Sequence, residues 1–276
     1  MFTLNCKGRL LATDTTLVMG IINITPDSFY AGSRRQEIGS IVAKAGKMLS
    51  EGADIIDIGG QSTRPGSQRI TAKDEMARVL PAISAILEKF PSAILSVDTY
   101  HAAVAQSAVN AGAAIINDVS AGNMDPDMIL VVAGLRVPYV CMHMKGTPEA
   151  MQANPAYENI TLEILDFFIE KIDQCRLAGI KDIIIDPGFG FGKTIAQNFI
   201  LLKEMLAFVV LDKPVMAGLS RKSTIWKTLG VSPEEALNGS TVMHTLALQN
   251  GASILRVHDV KEAKEAIILF QQYSQA

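Results

Sequence analysis

Apolar residues along this chain fall into two alternating patterns. Short β-branched runs, apolar at consecutive positions, are separated by longer stretches whose apolar residues recur every three or four positions. The first pattern predicts strands buried on both faces, the second helices with one buried face. Three runs align without gaps: Gly52-Ala53-Asp54-Ile55-Ile56-Asp57, Gly112-Ala113-Ala114-Ile115-Ile116-Asn117 and Gly251-Ala252-Ser253-Ile254-Leu255-Arg256. Gly179 to Asp186 repeats the theme with two more residues. In each, a helical pattern ends at glycine, a strand follows, and a polar residue closes it. Further strands are expected at Leu17–Asn23, Ala93–Thr99, Pro138–His143 and Pro214–Ser220. Helices are expected at Ile38–Ser50, Asp74–Lys89, His101–Asn110, Pro126–Gly134, Tyr157–Ala178, Ala196–Leu206, Pro233–Asn250 and Lys261–Tyr273. Eight strands alternating with eight helices predict an α/β fold of the (β/α)8 TIM-barrel type. A doubly wound open sheet is the alternative, but the glycine-rich turn it wants after the first strand is missing. Residues 1–16 read as a short β-hairpin plugging the N-terminal end of the barrel. No linker or boundary interrupts residues 1–276, so one domain is expected.

Composition narrows the class. With 276 residues, 49% hydrophobic and 19% charged, the chain is an ordinary globular one. A net charge of −3 without a basic cluster argues against nucleic acid. No apolar run approaches the roughly 20 residues of a membrane span. Cys6, Cys141 and Cys175 form neither a disulfide framework nor a close metal pair, which favours a reducing, cytoplasmic location.

In a barrel of this type the chemistry lies at the C-terminal strand ends. There the chain carries Asn23, Asp57, Asp98, Asn117, Met142-His143, Asp186, Ser220-Arg221-Lys222, and Arg256 with His258. Buried carboxylates and amides are costly unless paired, so such a ring points to a polar ligand. Asp57 and His143 read equally well as groups that only tie loops together. Asp186-Pro187-Gly188-Phe189-Gly190-Phe191-Gly192-Lys193 approaches a phosphate-binding glycine loop, but Pro187 replaces a required glycine. Phe189 and Phe191 are instead expected to wall a flat ligand, with core packing of the rings as the other reading. Neither a zinc-hydrolase histidine pattern nor a Gly-x-Ser-x-Gly elbow is present.

Several segments, in order, resemble the dihydropteroate synthase family. They are Met19–Phe29 (MGIINITPDSF), Asp57–Gly66 (DIGGQSTRPG), Ser96–Thr99, Ile116–Val119, Asp186–Lys193, Gly218–Ser223 (GLSRKS) and Arg256–Asp259 (RVHD), covering nearly the whole chain. Gln61 departs mildly, since family members often carry Glu there. The resemblance implies that p-aminobenzoate is joined to 6-hydroxymethyl-7,8-dihydropterin diphosphate, giving 7,8-dihydropteroate and diphosphate. It assigns the pterin to Asp98, Asn117, Met142, Asp186, Phe191 and Lys222. It assigns the diphosphate to Asn23, Thr63, Arg256 and His258, with Mg²⁺ near Asn23. Arg64, Pro65, Phe189 and Ser223 would frame p-aminobenzoate, and Asp27 would join the cation or the metal shell. Asp27, Arg64, Lys222, Arg256 and His258 are the groups expected to act in the reaction. Arg256 and His258, two apart, are expected to face the same way beside Asn23 and form an anion site separate from the pterin slot. A homodimer is also implied, and the late helices Pro233–Asn250 and Lys261–Tyr273 are the expected interface. The rivals are a pterin-binding methyltransferase and a catalytically silent pterin-binding barrel.

Overall fold

The structure is a computed structural model that describes residues 2–24, 34–61, 69–146 and 155–276. Asp27, Thr63, Arg64 and Pro65 therefore lie outside the described residues. The chain opens with a hairpin, β1 (Thr3–Cys6) and β2 (Arg9–Ala12), paired antiparallel. The barrel strands follow: β3 (Leu17–Asn23), β4 (Ile55–Gly59), β5 (Leu95–Asp98), β6 (Ile115–Asp118), β7 (Tyr139–Met142), β8 (Ile183–Asp186), β9 (Met216–Ala217) and β10 (Ile254–Val257). Their order, β8-β7-β6-β5-β4-β3-β10-β9, is parallel throughout, and an Ile185–Val215 bridge brings β8 back to β9. The sheet thus closes on itself, as the strand count predicted.

The helices are α1 (Arg34–Ser50), α2 (Ala72–Lys89), α3 (Ala102–Asn110), α4 (Met128–Leu135), α5 (Ile160–Ala178), α6 (Ile195–Lys203), α7 (Ser223–Leu229), α8 (Leu237–Gln249) and α9 (Val260–Gln275). Two elements go beyond the sequence reading: α7, and a 3₁₀ helix at Met205–Leu211 that takes over where α6 was expected to continue. Local chemistry sets many of the ends. Thr71 caps α2 by accepting from the Asp74 amide, and Asn159 caps α5 through Thr161 and Leu162. Thr194 and Gln197 form a reciprocal capping box on α6. The four repeat glycines, Gly52, Gly112, Gly179 and Gly251, have φ between 87° and 117°, the left-handed turn expected where a helix hands over to a strand.

Strand parity sorts each side chain into one of two cores. Ile56 and Ile58 point outward to a layer shared with the helices, while Ile55 points into the barrel beside Leu17, Met19, Ile115, Val140, Ile184, Met216 and Ile254. Leu4 and Cys6 of the hairpin belong to that inner cluster, so the hairpin does plug the barrel floor. It is pinned there by Lys7 on the Val109 carbonyl, Arg9 on the Ser92 and Ala93 carbonyls, and the Asn5 amide on Asp182. Fully burying one such aliphatic chain is worth about 1.5–3 kcal/mol. No helix among the described residues is long and apolar enough to cross a membrane.

Candidate active site

The period of two that buries Ile55, Ile115, Ile184 and Ile254 has a second consequence. Two residues further along each strand, the inward position is Asp57, Asn117, Asp186 and Arg256. The same parity brings Asp98 and Met142 inward. Register then sets them side by side: Asp98 opposite Asn117, and Met142 opposite Asp186. The barrel mouth is therefore a layer of polar groups resting on an apolar floor.

These groups hold one another. Arg256 crosses over β3 to reach β4 and β5: Nε donates to Asp57 Oδ2 at 2.7 Å and Nη2 to Asp98 Oδ2 at 2.7 Å. Asn117 Nδ2 donates to the same Asp57 oxygen at 3.0 Å. Asp57 is fully buried, and its Oδ1 has no hydrogen-bond partner among the described residues. Across the mouth, Asp186 Oδ1 accepts from the Gly188 amide at 2.7 Å. The Lys222 ammonium donates to the Phe189 carbonyl and lies 4.7 Å from the centre of the Phe191 ring. An ideal Cβ on Gly218 would lie 3.7 Å from Lys222 Nζ and 3.8 Å from Asp186 Oδ2, so a bare backbone floors the space between that lysine and that carboxylate. An apolar cluster of Tyr100, Val119 and Met142, with Met124, Met144 and Phe191 against it, forms one wall.

Burial governs the charge states here. It pushes the Asp98 carboxyl up to about 7, with Arg256 opposing and Asp57, Asp118 and Asp186 adding. Asp186 is also raised by burial, against the pull of Lys222. Lys222 is drawn down to about 8 by burial, against Asp186. For Arg256 burial disfavours the charge, but Asp57 and Asp98 more than offset it and the guanidinium stays protonated. His258 is lowered to about 4, by burial first and then by Arg256, so its ring is neutral near pH 7.

The structure corrects one expectation and adds detail to others. Phe189 does not wall a ligand pocket: it is 1% exposed and packs in the outer core. Its contribution at the mouth is its carbonyl, which accepts from Lys222. Arg256 and His258 take different hydrogen-bond partners. Arg256 donates to Asp57 and Asp98, whereas His258 has Nδ1 3.1 Å from Ser220 Oγ and its amide donating to that oxygen. Arg256 also ties itself to the groups assigned to the pterin, directly to Asp98 and, through Asp57, to Asn117. Asn23 is exposed at the end of β3, and Ser223 is half-buried as the first residue of α7. His143 resolves towards the loop-tying reading, since its ring Nδ1 lies 3.0 Å from Lys193 Nζ.

Sequence reasoning missed several contributors. Asp118 is fully buried, accepting from Ser120 through Oδ1 and from Gly122 and Tyr139 through Oδ2, and so fixes the turn behind Asn117. Tyr100, Val119, Met124 and Met144 were not singled out, although each follows within a few residues of a polar strand end. That position was the available signal.

A polar barrel mouth of this kind, built on these motifs, has a family. Residues 19–258 match the model of the pterin binding enzymes, and the chain belongs to that family. Within it, the chain is 40% identical to the dihydropteroate synthase of Escherichia coli K12, over 94% of each chain. The solved dihydropteroate synthase of Xanthomonas albilineans with 4-aminobenzoic acid is 42% identical, with a TM-score of 0.92 over 99% of this chain and 98% of that one. The Yersinia pestis dihydropteroate synthase with a sulfonamide drug complex is 38% identical, with a TM-score of 0.92 over 99% of both.

Proposed function

We infer that the chain is a transferase of folate biosynthesis, a dihydropteroate synthase. It joins 6-hydroxymethyl-7,8-dihydropterin diphosphate to p-aminobenzoate. The observation that carries this reading is the convergence of Asp57, Asp98, Asn117, Asp186, Lys222 and Arg256 on one mouth, in a chain 40% identical to a curated synthase along its length. A carboxylate such as Asp186 can accept two N–H groups from the pyrimidine edge of a pterin. Asp98 and Asn117 complete the slot, Lys222 contributes its ammonium, and Met142 and Phe191 supply apolar surface.

The chemistry needs no protein nucleophile. The bond from the methylene carbon to the diphosphate oxygen breaks with its electron pair leaving on diphosphate. The arylamine nitrogen then attacks the resulting cation and its surplus proton is released. Arg256, His258 and Asn23 favour the departing charge, with Thr63 beside them, so stabilisation and positioning supply the rate. Arg64, Pro65 and Ser223 frame p-aminobenzoate. Asn23 offers an exposed amide oxygen, a hard donor of the kind Mg²⁺ accepts when phosphates and water complete its shell. When bound, Mg²⁺ would neutralise charge on the diphosphate. Asp27 is assigned to the cation or the metal shell, and the protein to the cytoplasm as a homodimer.

Diphosphate release with both substrates tests the reading. Turnover should require both, and a sulfonamide should compete with p-aminobenzoate. Release without p-aminobenzoate, or none with both substrates and Mg²⁺ present, would overturn it.

A further inference from the structure

Lys193 is a buried amine with no carboxylate ion pair among the described residues, and burial pulls it well below the ordinary lysine value. It is 2% exposed, and among the described residues it makes no ion pair. Its Nζ donates to the Gly188 carbonyl at 2.9 Å and the Phe191 carbonyl at 3.0 Å, and lies 3.0 Å from His143 Nδ1, with the His143 carbonyl at 3.4 Å. The Gly188 and Phe191 carbonyls can only accept, so they take two N–H bonds of the amine, and the His143 ring nitrogen completes the set. A lysine this deep is costly unless its N–H groups are hydrogen-bonded, and here those bonds go to the loop and to His143.

The acceptors bracket the part of the β8–α6 loop that meets Lys222. Gly188 precedes Phe189, whose carbonyl accepts from Lys222, and the other loop acceptor belongs to Phe191, whose ring lies under the Lys222 ammonium. The loop is pressed flat on the end of β7. Gly188 has φ 71°, and a Cβ there would fall 1.9 Å from the His143 carbonyl oxygen. Asn198 Oδ1 accepts from the Gly190 amide at 2.7 Å, and the Tyr157 hydroxyl donates to the Gly192 carbonyl at 2.9 Å. Lys193 is the side chain that reaches both sides of Phe189 at once.

We propose that Lys193 is a positioning residue for pterin recognition, holding the Phe189 carbonyl and the Phe191 ring in the places from which they aim Lys222. The proposal rests on the functional reading above for the ligand, but not for the mechanical link. Lys193 touches no reacting group; its effect travels through Lys222.

A double-mutant cycle separates this role from plain stability. Binding of 6-hydroxymethylpterin would be measured by calorimetry for the full chain and for Lys193→Met, Lys222→Met and the double variant, each checked for folding by circular dichroism. Lys193→Met should weaken binding at least about tenfold, equivalent to about 1.4 kcal/mol. The double variant should be within about twofold of Lys222→Met alone, because Lys193 has nothing left to aim. Lys193→Gln, which keeps two N–H donors, should recover part of the loss. Wild-type affinity in a folded Lys193→Met, or losses that simply multiply in the double variant, would overturn the proposal. So would loss of folding in both Lys193 variants, since the role would then be barrel stability. If the unaltered protein fails to bind the pterin, the functional reading itself is at fault, and the proposal falls with it.

Discussion

Arg256 pairs with two buried carboxylates on different strands, and its removal would leave both without their cation. Breaking a buried pair costs about 3–5 kcal/mol, because the partner is left charged and dry. Arg256→Ala should lose stability of that order in urea titrations at pH 8, and should weaken pterin and diphosphate binding together. The loss should shrink as pH falls. The folded Asp98 carboxyl is already raised to about 7. A raised carboxyl favours the folded state at low pH and loses that contribution as pH rises through its folded value. A deficit that grew on acidification would contradict this assignment. His244 on α8 tests the opposite sign. It is 2% exposed, neither ring nitrogen has a hydrogen-bond partner among the described residues, and burial lowers it to about 4. Below the ordinary histidine value the unfolded chain binds a proton that the folded chain refuses, so stability is lost as pH falls from about 6.5 towards 4. His244→Leu should therefore raise Tm, and its advantage should widen between pH 7 and pH 5. At this scale the sequence was legible wherever parity decided. Asp57, Asp98, Asn117, Asp186 and Arg256 are at predicted strand ends and face inward together. It was not legible for Phe189 or for the different partners of Arg256 and His258, because beyond the strand the direction of a side chain is set by loop geometry and by the partner that captures it.

The hairpin β1–β2 illustrates what an element contributes away from the chemistry. Leu4 and Cys6 close the barrel floor, 2% and 0% exposed, at the end opposite the mouth. Leu4→Ala should cost about 2–5 kcal/mol through lost burial and the cavity left behind. Calorimetric unfolding should show a lower Tm, while kcat of the folded enzyme stays within about twofold; a change in kcat with unchanged stability would contradict a purely structural floor. Elements with strong periodicity were readable from the chain, and β3 matches its expected span, Leu17–Asn23. The others fell within a few residues, their ends set by caps such as Thr71 and Asn159. The two that escaped are short. Helix α7 has no side-chain cap bond at Lys222, and the 3₁₀ helix Met205–Leu211 continues an apolar run whose tighter winding no periodicity signals. Strand β9 shrank to Met216–Ala217 because the chain beyond it, through Gly218, turns to present Ser220 and Lys222.

For the whole molecule, α8 and α9 carry exposed apolar side chains in pairs four residues apart. Val242, Leu246, Leu269 and Tyr273 are 53%, 39%, 71% and 76% exposed on these two packed helices. Single exposed aliphatics need no explanation, but apolar pairs one turn apart on two packed helices suit an interaction surface. The proposed homodimer would cover it, and an isologous contact lets one patch serve both copies. Leu269 and Tyr273 are four residues apart on α9, hence on one side of it. Leu269→Glu with Tyr273→Glu should place four carboxylates in a two-fold interface and disfavour it strongly. Light scattering should give twice the 29.7 kDa chain mass for the unaltered protein and the single mass for the variant. Turnover per chain should stay within about threefold, because the mouth groups come from strand ends and the loop regions that follow them, and not from the outer face of α9. An unaltered protein that runs as a monomer at tens of micromolar would remove this face from consideration.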